Sequence, residues 1–258
     1  MNGVFQIGAT GLHAQDRALG IVANNITNMN TPGFKRSGVH FAEMVGPRLP
    51  TDPALQGAAV NVGAPGLFGV SSDQSTRIFS DGELRPTGNP MDVAIQGEGF
   101  IELVGADGQA MLWRGGTLRV NEDGFLTGIG GLQLKSAISV PEGATAISID
   151  ATGEVRAVAP GETEPRSIGR IDMVLVRNLE GLTAQEGGLY RPAAETDVVA
   201  AEPGERGGQF VQGSLELSNV ELTDEMVQLM MMQRAYAASA QVVQAGDQLM
   251  AIANGLKR

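Results

Sequence analysis

LTDEMVQLMMMQRAYAASAQVVQAGDQLMAIANGL, from Leu222 to Leu256, is the stretch whose reading decides the fold. Within it Leu222, Leu229, Tyr236, Val243 and Met250 recur every seven residues. Beside them Val242, Ala245, Leu249, Ile252 and Leu256 advance in alternating steps of three and four, the seam of a coiled coil. At about 1.5 Å per residue such a helix reaches roughly 50 Å, more than a small domain needs, so its length points to an assembly. Its start is marked by Ser218-Asn219-Val220-Glu221, which fits a capping box. Asp224 and Glu225 follow in an early turn, where the positive helix end stabilises acids.

The opposite end of the chain matches it. From Asn2 to Asn28, Phe5, Leu12, Leu19 and Ile26 repeat at seven, and a smaller seam of Val4, Ile7, Gly11, Ala14, Ala18 and Ile21 runs alongside. Termini fray unless something ties them down, so matched apolar ends imply packing. Each helix is apolar over more than one stripe and needs several neighbours. The expected subunit-interface residues are Phe5, Leu12, Leu19, Asn24, Asn25, Ile26, Asn28, Leu222, Met226, Leu229, Tyr236, Val243, Leu249 and Met250. Two groups admit two readings. Asn24, Asn25 and Asn28, the first and last four apart on one face, either fix register as buried amides or fray and cap the helix end. Met226 and Met230-Met231-Met232 either adapt one face to non-identical neighbours or fill a simple core.

Between the ends the pattern changes. The first helix should stop around Asn28 to Asn30, among poor helix formers, because Pro32 pushes Thr31 out of the helical region. Thr31-Pro32-Gly33-Phe34 reads as a type II turn and the expected hinge between core and outer domain. Lys35 to Met44 resumes as a short extended or helical arm, and Gly46 to Ser75 reads as a linker or ordered hairpin. From Arg77 to Arg191 the signals are β, with strands around Asp92–Gln96, Phe100–Val104, Thr117–Val120, Ala146–Asp150, Glu154–Val158 and Ile171–Val176, and hairpin turns at Ala106–Gln109, Asn121–Phe125 and Asp150–Glu154. The expected organisation is an N-terminal helix and turn (1–45), a linker arm (46–76), an inserted β domain (77–195), a return linker (196–217) and a C-terminal helix (218–258). The fold class is α+β: a discontinuous, coiled-coil-like helical module with an inserted, mainly antiparallel β domain.

Composition narrows the function. A net charge of -11 with 18 scattered basic residues argues against nucleic acid, which needs clustered Lys and Arg. The cluster Lys35-Arg36 leaves open whether it meets a neighbouring subunit or solvent, and Lys257-Arg258 complements the C-terminal end of the last helix. Zero cysteines remove disulfides and thiol chemistry and suit a chain exported unfolded. Neither a Sec-type leader nor an apolar run of membrane-spanning length is expected. No catalytic, cofactor or metal residue is assigned. His13 and His40 have no ligand partners at metal spacing, no serine sits in a nucleophile elbow, and Gly97-Glu98-Gly99-Phe100 lacks the Gly-Lys-Ser/Thr of a phosphate loop. The chain therefore reads as a non-enzyme without a small-molecule substrate.

The segment Asn24-Asn-Ile-Thr-Asn-Met-Asn-Thr-Pro-Gly-Phe-Lys-Arg36 resembles the signature of the flagellar rod and hook proteins, the axial family of the bacterial flagellum. Gly88-Asn-Pro-Met-Asp-Val-Ala-Ile-Gln-Gly-Glu-Gly-Phe100 is similar to the family's motif opening the β domain, and Ser218 to Val227, with Gln233-Arg-Ala-Tyr236, to its C-terminal helix motif. Leu112-Trp-Arg-Gly-Gly116 departs from the usual Tyr-Thr-Arg pattern. Length and the Gly66 to Arg85 stretch are most similar to distal rod members, with a proximal rod position as the alternative. The resemblance implies a structural subunit exported through the flagellar type III apparatus. It would polymerise with itself into a helical rod across the periplasm, meeting neighbouring rod and hook subunits and a surrounding bushing ring. A discrete exported adaptor or cap is the competing binding-class reading. An enzyme acting on peptidoglycan has only the periplasmic setting behind it.

Overall fold

The computed structural model describes residues 2–44, 69–71, 75–105, 107–144, 146–161, 164–193, 198–201 and 207–255. Most of the 46–76 arm, part of the 196–217 return, and Leu256, Lys257 and Arg258 lie outside them. The fold is α+β, with a helix at each end and antiparallel sheets between. It divides into a helical unit (Met1–Thr27, Ser37–Thr76, Glu221–Arg258) and a β unit (Asn28–Arg36, Arg77–Val220).

In the helical unit α1 spans Asn2–Thr27 and α2 spans Leu222–Gly255. The arm after the turn is extended, with strands Ser37–Val39 and Ala42–Met44, the latter paired with Gly69–Ser71. The start of α2 departs from the capping-box reading. A box on Ser218 would begin the helix at Asn219, yet it begins at Leu222. Ser218 Oγ instead accepts the Val220 N–H at 3.3 Å, and Asn219 is committed elsewhere. A local side-chain bond has won over the helical one, as Ser and Asn allow.

In the β unit, Phe100–Val104 lies between Ala110–Trp113 on one edge and, on the other, Gln133–Leu134 and Met173–Val176 in succession. Alternation then sorts its side chains. Ile101, Leu103, Trp113 and Met173 enter the larger core, while Phe100, Leu112, Val174 and Tyr190 form a second core on the other face. Phe79, Phe100 and Tyr190 close the second core with edge-on ring contacts at 5.2–5.9 Å. A three-stranded sheet joins Asp92–Gln96 to Gln209–Gln212 and Gly115–Thr117. Four successive residues of Asp92–Gln96 are buried, the mark of a strand covered on both faces. Two turns carry their own side-chain supports: Asn121 Oδ1 accepts the Phe125 N–H, and Asp150 Oδ1 accepts the N–H groups of Thr152 and Glu154.

Candidate assembly interface

The inner face of α1 is built from small residues. Ala14, Ala18 and Val22 are buried, continuing into Asn25 at 1 % exposure; Ala14 and Ala18 belong to the smaller seam, of which Ile7 is exposed and Gly11 and Ile21 half-buried. Leu12, Leu19 and Ile26 flank it half-buried. Small side chains let helix backbones approach closely, so they occupy the line of contact and the leucines its margins. On α2 the inward stripe runs through Glu225, Leu229, Met232, Ala235, Ser239, Val243 and Gly246, at steps of three and four, each buried or half-buried. The helices are antiparallel and meet along their length. Asn25 Nδ2 donates to Glu225 Oε2 at 3.2 Å and Gln15 Nε2 to Ser239 Oγ at 3.1 Å. Asn25 also brackets Ser37, accepting its N–H at 3.0 Å and donating to its carbonyl at 2.9 Å.

Much of the rest of α2's apolar surface is exposed among the described residues. Leu222, Met226, Val227, Met230, Met231 and Tyr236 are 41–61 % exposed, and farther along Val242, Leu249 and Ile252 reach 58–67 %. They spread around much of the helix rather than along a single line, and exposed apolar surface of this extent is a general mark of interaction sites. The residues singled out from sequence thus divide. Asn25 is buried and Leu229 and Val243 half-buried in the helix pair, whereas Leu222, Met226, Tyr236 and Leu249 are exposed. Asn24 is exposed and Asn28 half-buried. The side chains of Phe5 and Met250 lie outside the described residues.

Helix contact is tight enough near one end to test. A Cβ added at Gly8 would lie 2.5 Å from Val243 Cγ2, whereas at Gly11 and Gly20 it would meet nothing within 4 Å. Gly8→Ala is expected to destabilise the helix pair by about 1–2 kcal/mol, overpacking against a stiff valine outweighing the propensity gain. Gly20→Ala should stabilise it by about 0.5–1 kcal/mol. Urea midpoints of the far-UV dichroism check both, and equal shifts of one sign would refute the close approach.

The β unit holds the roots of both helices. Phe34 N–H bonds to Thr31 O at 3.2 Å with Gly33 at φ 69°, the positive φ that a type II turn demands at its third residue. Thr31 and Pro32 are exposed, Gly33 and Phe34 buried. Gly33 N–H then reaches Glu216 O at 2.8 Å, which sets the chain leaving the turn beside the chain leading to α2. Asn219 adds a second tie. Its Oδ1 accepts the Arg36 N–H at 2.7 Å and its Nδ2 donates to the carbonyls of Ile78 and Ser80.

Beneath these ties lies a buried charge cluster. Lys35, at 0 % exposure, donates to Glu216 Oε1 at 2.6 Å and to Ser80 O at 2.7 Å. Arg114, at 4 % exposure, contacts both oxygens of Glu216 at 3.2 Å, the half-exposed Asp81 at 3.2 Å, and the carbonyls of Gly97 and Gly99 at 2.9 and 2.8 Å. Glu216 also accepts the Gly82 N–H at 2.9 Å. Burial alone would raise the Glu216 carboxyl. Arg114 and Lys35 together outweigh it and hold the carboxyl below its usual range. Burial, and then Arg114, push the Lys35 ammonium down, against the opposing pull of Glu216. Lys35 is thereby resolved as an intrachain partner, not a surface cation.

Sequence reasoning did not single out Glu216, Arg114, Asp92 or Asn219. Asp92 is the hub of its own motif, accepting from Thr87 Oγ1 at 2.6 Å, Asn89 Nδ2 at 3.1 Å and Thr117 Oγ1 at 2.7 Å. The available signal was convergence. The segments Gly33–Arg36, Gly97–Phe100, Trp113–Gly116 and Ser214–Asn219, far apart in the chain, meet at one cluster. Gly97-Glu98-Gly99-Phe100 is thus a turn that offers carbonyls to Arg114.

Three family models match the chain: "Flagella basal body rod protein" over residues 5–35, "Flagellar hook protein FlgE/F/G D1 domain" over 94–157, and "Flagellar basal body rod FlgEFG protein C-terminal" over 211–256. The chain is 31 % identical to the flagellar basal-body rod protein FlgG of Caulobacter vibrioides, over 96 % of its own length and 97 % of that protein. It is 32 % identical to FlgG of Bacillus subtilis, over 97 % of each. FlgF of Caulobacter vibrioides is 30 % identical over 94 % of this chain and 93 % of its own length. The first and last models fall on the two helices and their roots, and full-length identity joins them to the β unit between, so the chain belongs to the FlgG-like flagellar basal-body rod proteins, a structural family.

Proposed function

We propose that this chain is a distal-rod subunit that polymerises helically with itself through its terminal helices, forming part of the shaft that transmits torque across the periplasm. The observation that carries this reading is α2. Its inward stripe packs on the chain's own α1, while other apolar residues, from Leu222 to Ile252, are exposed. A patch of this kind meeting a different patch on the next copy makes a heterologous contact, which builds an open helical filament unless rotation closes it. The unbranched methionines suit neighbours that are not identical, such as the other rod and hook subunits at the ends of the polymer. The coiled-coil-like pairing of α1 with α2 would then supply the rigid stave from which the filament is laid. The flagellar export apparatus and a surrounding bushing ring complete the proposed partners. A chain with no cysteine, passing unfolded through an export channel, has no disulfide to reform.

Electron microscopy of the purified chain at increasing concentration tests the reading. A continuous helical array is expected, and a discrete complex of fixed copy number would replace it with the adaptor reading. The FlgG relatives, matched at 31–32 % identity over 96–97 % of this chain against 30 % over 94 % for FlgF, favour the distal position over the proximal one.

A further inference from the structure

α2 presents α1 with a choice that apolar contact cannot make. Its inward stripe (Leu229, Met232, Val243) and its outward face (Met230, Val242, Leu249) are both apolar and both run the length of the helix. In a crowded assembly α1 of one copy could lie on either face of its own α2, on the α2 of another copy, or one turn out of step. Hydrophobic burial is non-directional and discriminates little among these. Specificity of this kind comes from groups that are costly to bury in the wrong place.

The helical unit holds such a group. Asn25 and Glu225 are 1 % and 0 % exposed, Asn25 Nδ2 donates to Glu225 Oε2 at 3.2 Å, and the same amide brackets the backbone of Ser37 with two further bonds. Glu225 stands in the first turn of α2, where the helix N-terminus favours a carboxylate. We propose that the buried Asn25–Glu225 contact is the specificity determinant of the helix pair: it commits α1 to its own chain's α2, on the inward face and in one antiparallel register. On the outward face, or shifted by a turn, Asn25 would bury its amide against methionine and valine, and Glu225 would lose this donor. A single buried polar contact within an apolar helix interface is enough to select register and partner at some cost in stability. Gln15–Ser239, at 3.1 Å, is a second and weaker rung in the same register. The proposal rests on the reading that the terminal helices polymerise, because only an assembly sets neighbouring α2 helices before each α1.

The absence of native cysteine makes the test direct. Gln15→Cys and Ser239→Cys are introduced together into the full chain, which is oxidised in dilute solution and at assembling concentration. The products are read in whichever state far-UV dichroism shows the helices ordered. One intrachain crosslink is expected. Adding Asn25→Leu with Glu225→Leu should keep the helical signal while the intrachain fraction falls about fivefold or more and interchain dimers replace it, as when a register-setting polar pair is removed. Glu225→Gln, which still accepts from Asn25, should retain the intrachain product. An unchanged intrachain yield in the double leucine chain overturns the proposal, and so does a parent chain whose helices are ordered yet give no intrachain crosslink. Should the leucine chain fail to fold, mixing a Gln15→Cys chain with a Ser239→Cys chain in the native background decides, since ready crosslinking between them would show that the helices exchange. Polymer formation is scored separately on the native chain by electron microscopy, so its failure counts against the assembly reading alone.

Discussion

Glu216→Gln should lower the melting temperature of the β unit by roughly 10 °C or more, on the basis that stranding a buried charge costs about 3–5 kcal/mol and that a unit of this size shifts by about 2–4 °C per kcal/mol. The substitution keeps the volume and an acceptor for the Gly82 N–H, but it leaves Lys35 and Arg114 buried together, with the half-exposed Asp81 as the remaining paired carboxylate among the described residues. The readout is unit-specific: Trp113, the chain's sole tryptophan, is 4 % exposed in the β core, so its fluorescence follows this unit and not the helices. Lys35→Met should cost less, because Arg114 still neutralises Glu216 and a desolvated cation is removed. A Glu216→Gln melt within a degree or two of the native chain would show that the cluster contributes nothing net. The pH dependence has a definite sign. The folded Glu216 carboxyl sits below its ordinary value of 4.5, so its contribution is fully present above pH 4.5 and is lost as pH falls through the lower folded value. Lys35 is displaced downward from 10.5, so between its folded value and 10.5 the unfolded chain holds the extra proton and stability rises with pH. The difference between the native and Glu216→Gln acid melts isolates the first window.

The cluster also explains what could be read from the chain and what could not. Strands such as Asp92–Gln96, Phe100–Val104 and Glu154–Val158 are legible because a sheet's period of two and its flanking turns are local properties. The two long helices are legible for the same reason. A Lys35–Glu216 pair separated by 181 residues carries no local signature, and a lysine beside an arginine reads as a surface patch until a distant carboxylate is brought to it. Facing is harder still. The i, i+4 spacing of Asn24 and Asn28 suggests one shared helix side, but α1 ends at Thr27, before Asn28, and it is Asn25 that is buried. The heptad of large residues is conspicuous in sequence, yet among the described residues the buried apolar positions of α1 are Ala14, Ala18 and Val22, because close approach favours small side chains over large ones. Ser218-Asn219-Val220-Glu221 carries the residue types of a cap, but Asn219 is more valuable to the backbone of Arg36, Ile78 and Ser80, and tertiary bonding overrides the local motif.

The two faces of α2 make the second large prediction, since adjacent residues belong to different interfaces. Leu229 is half-buried in the stripe facing α1, while Met230, one position on and about 100° around the helix, is 51 % exposed. Met230→Asp should leave α1 paired with α2 and the Trp113 melt unchanged, yet abolish polymer. A carboxylate carried into an apolar contact costs on the order of 3 kcal/mol even after partial relaxation, or about a hundred-fold in the concentration needed to assemble, and every subunit added bears it. Leu229→Asp should lose both the helix pair and the polymer, because the charge enters the stripe within the chain and the outer face is no longer presented on a formed stave. Ile26→Asp, at the half-buried margin of the same pair, belongs with Leu229→Asp and leaves the β unit folded. Sedimentation and electron microscopy read the polymer, the Gln15→Cys/Ser239→Cys crosslink reads the pair, and tryptophan fluorescence reads the β unit. Polymer formed by Met230→Asp at native concentrations would remove the exposed methionine face from the assembly contact. A Leu229→Asp chain that kept the pair but lost the polymer would assign the inward stripe to a neighbouring copy instead. The separation of these two outcomes at neighbouring positions is what a helix with two distinct apolar faces requires and what a helix with a single wide face could not produce.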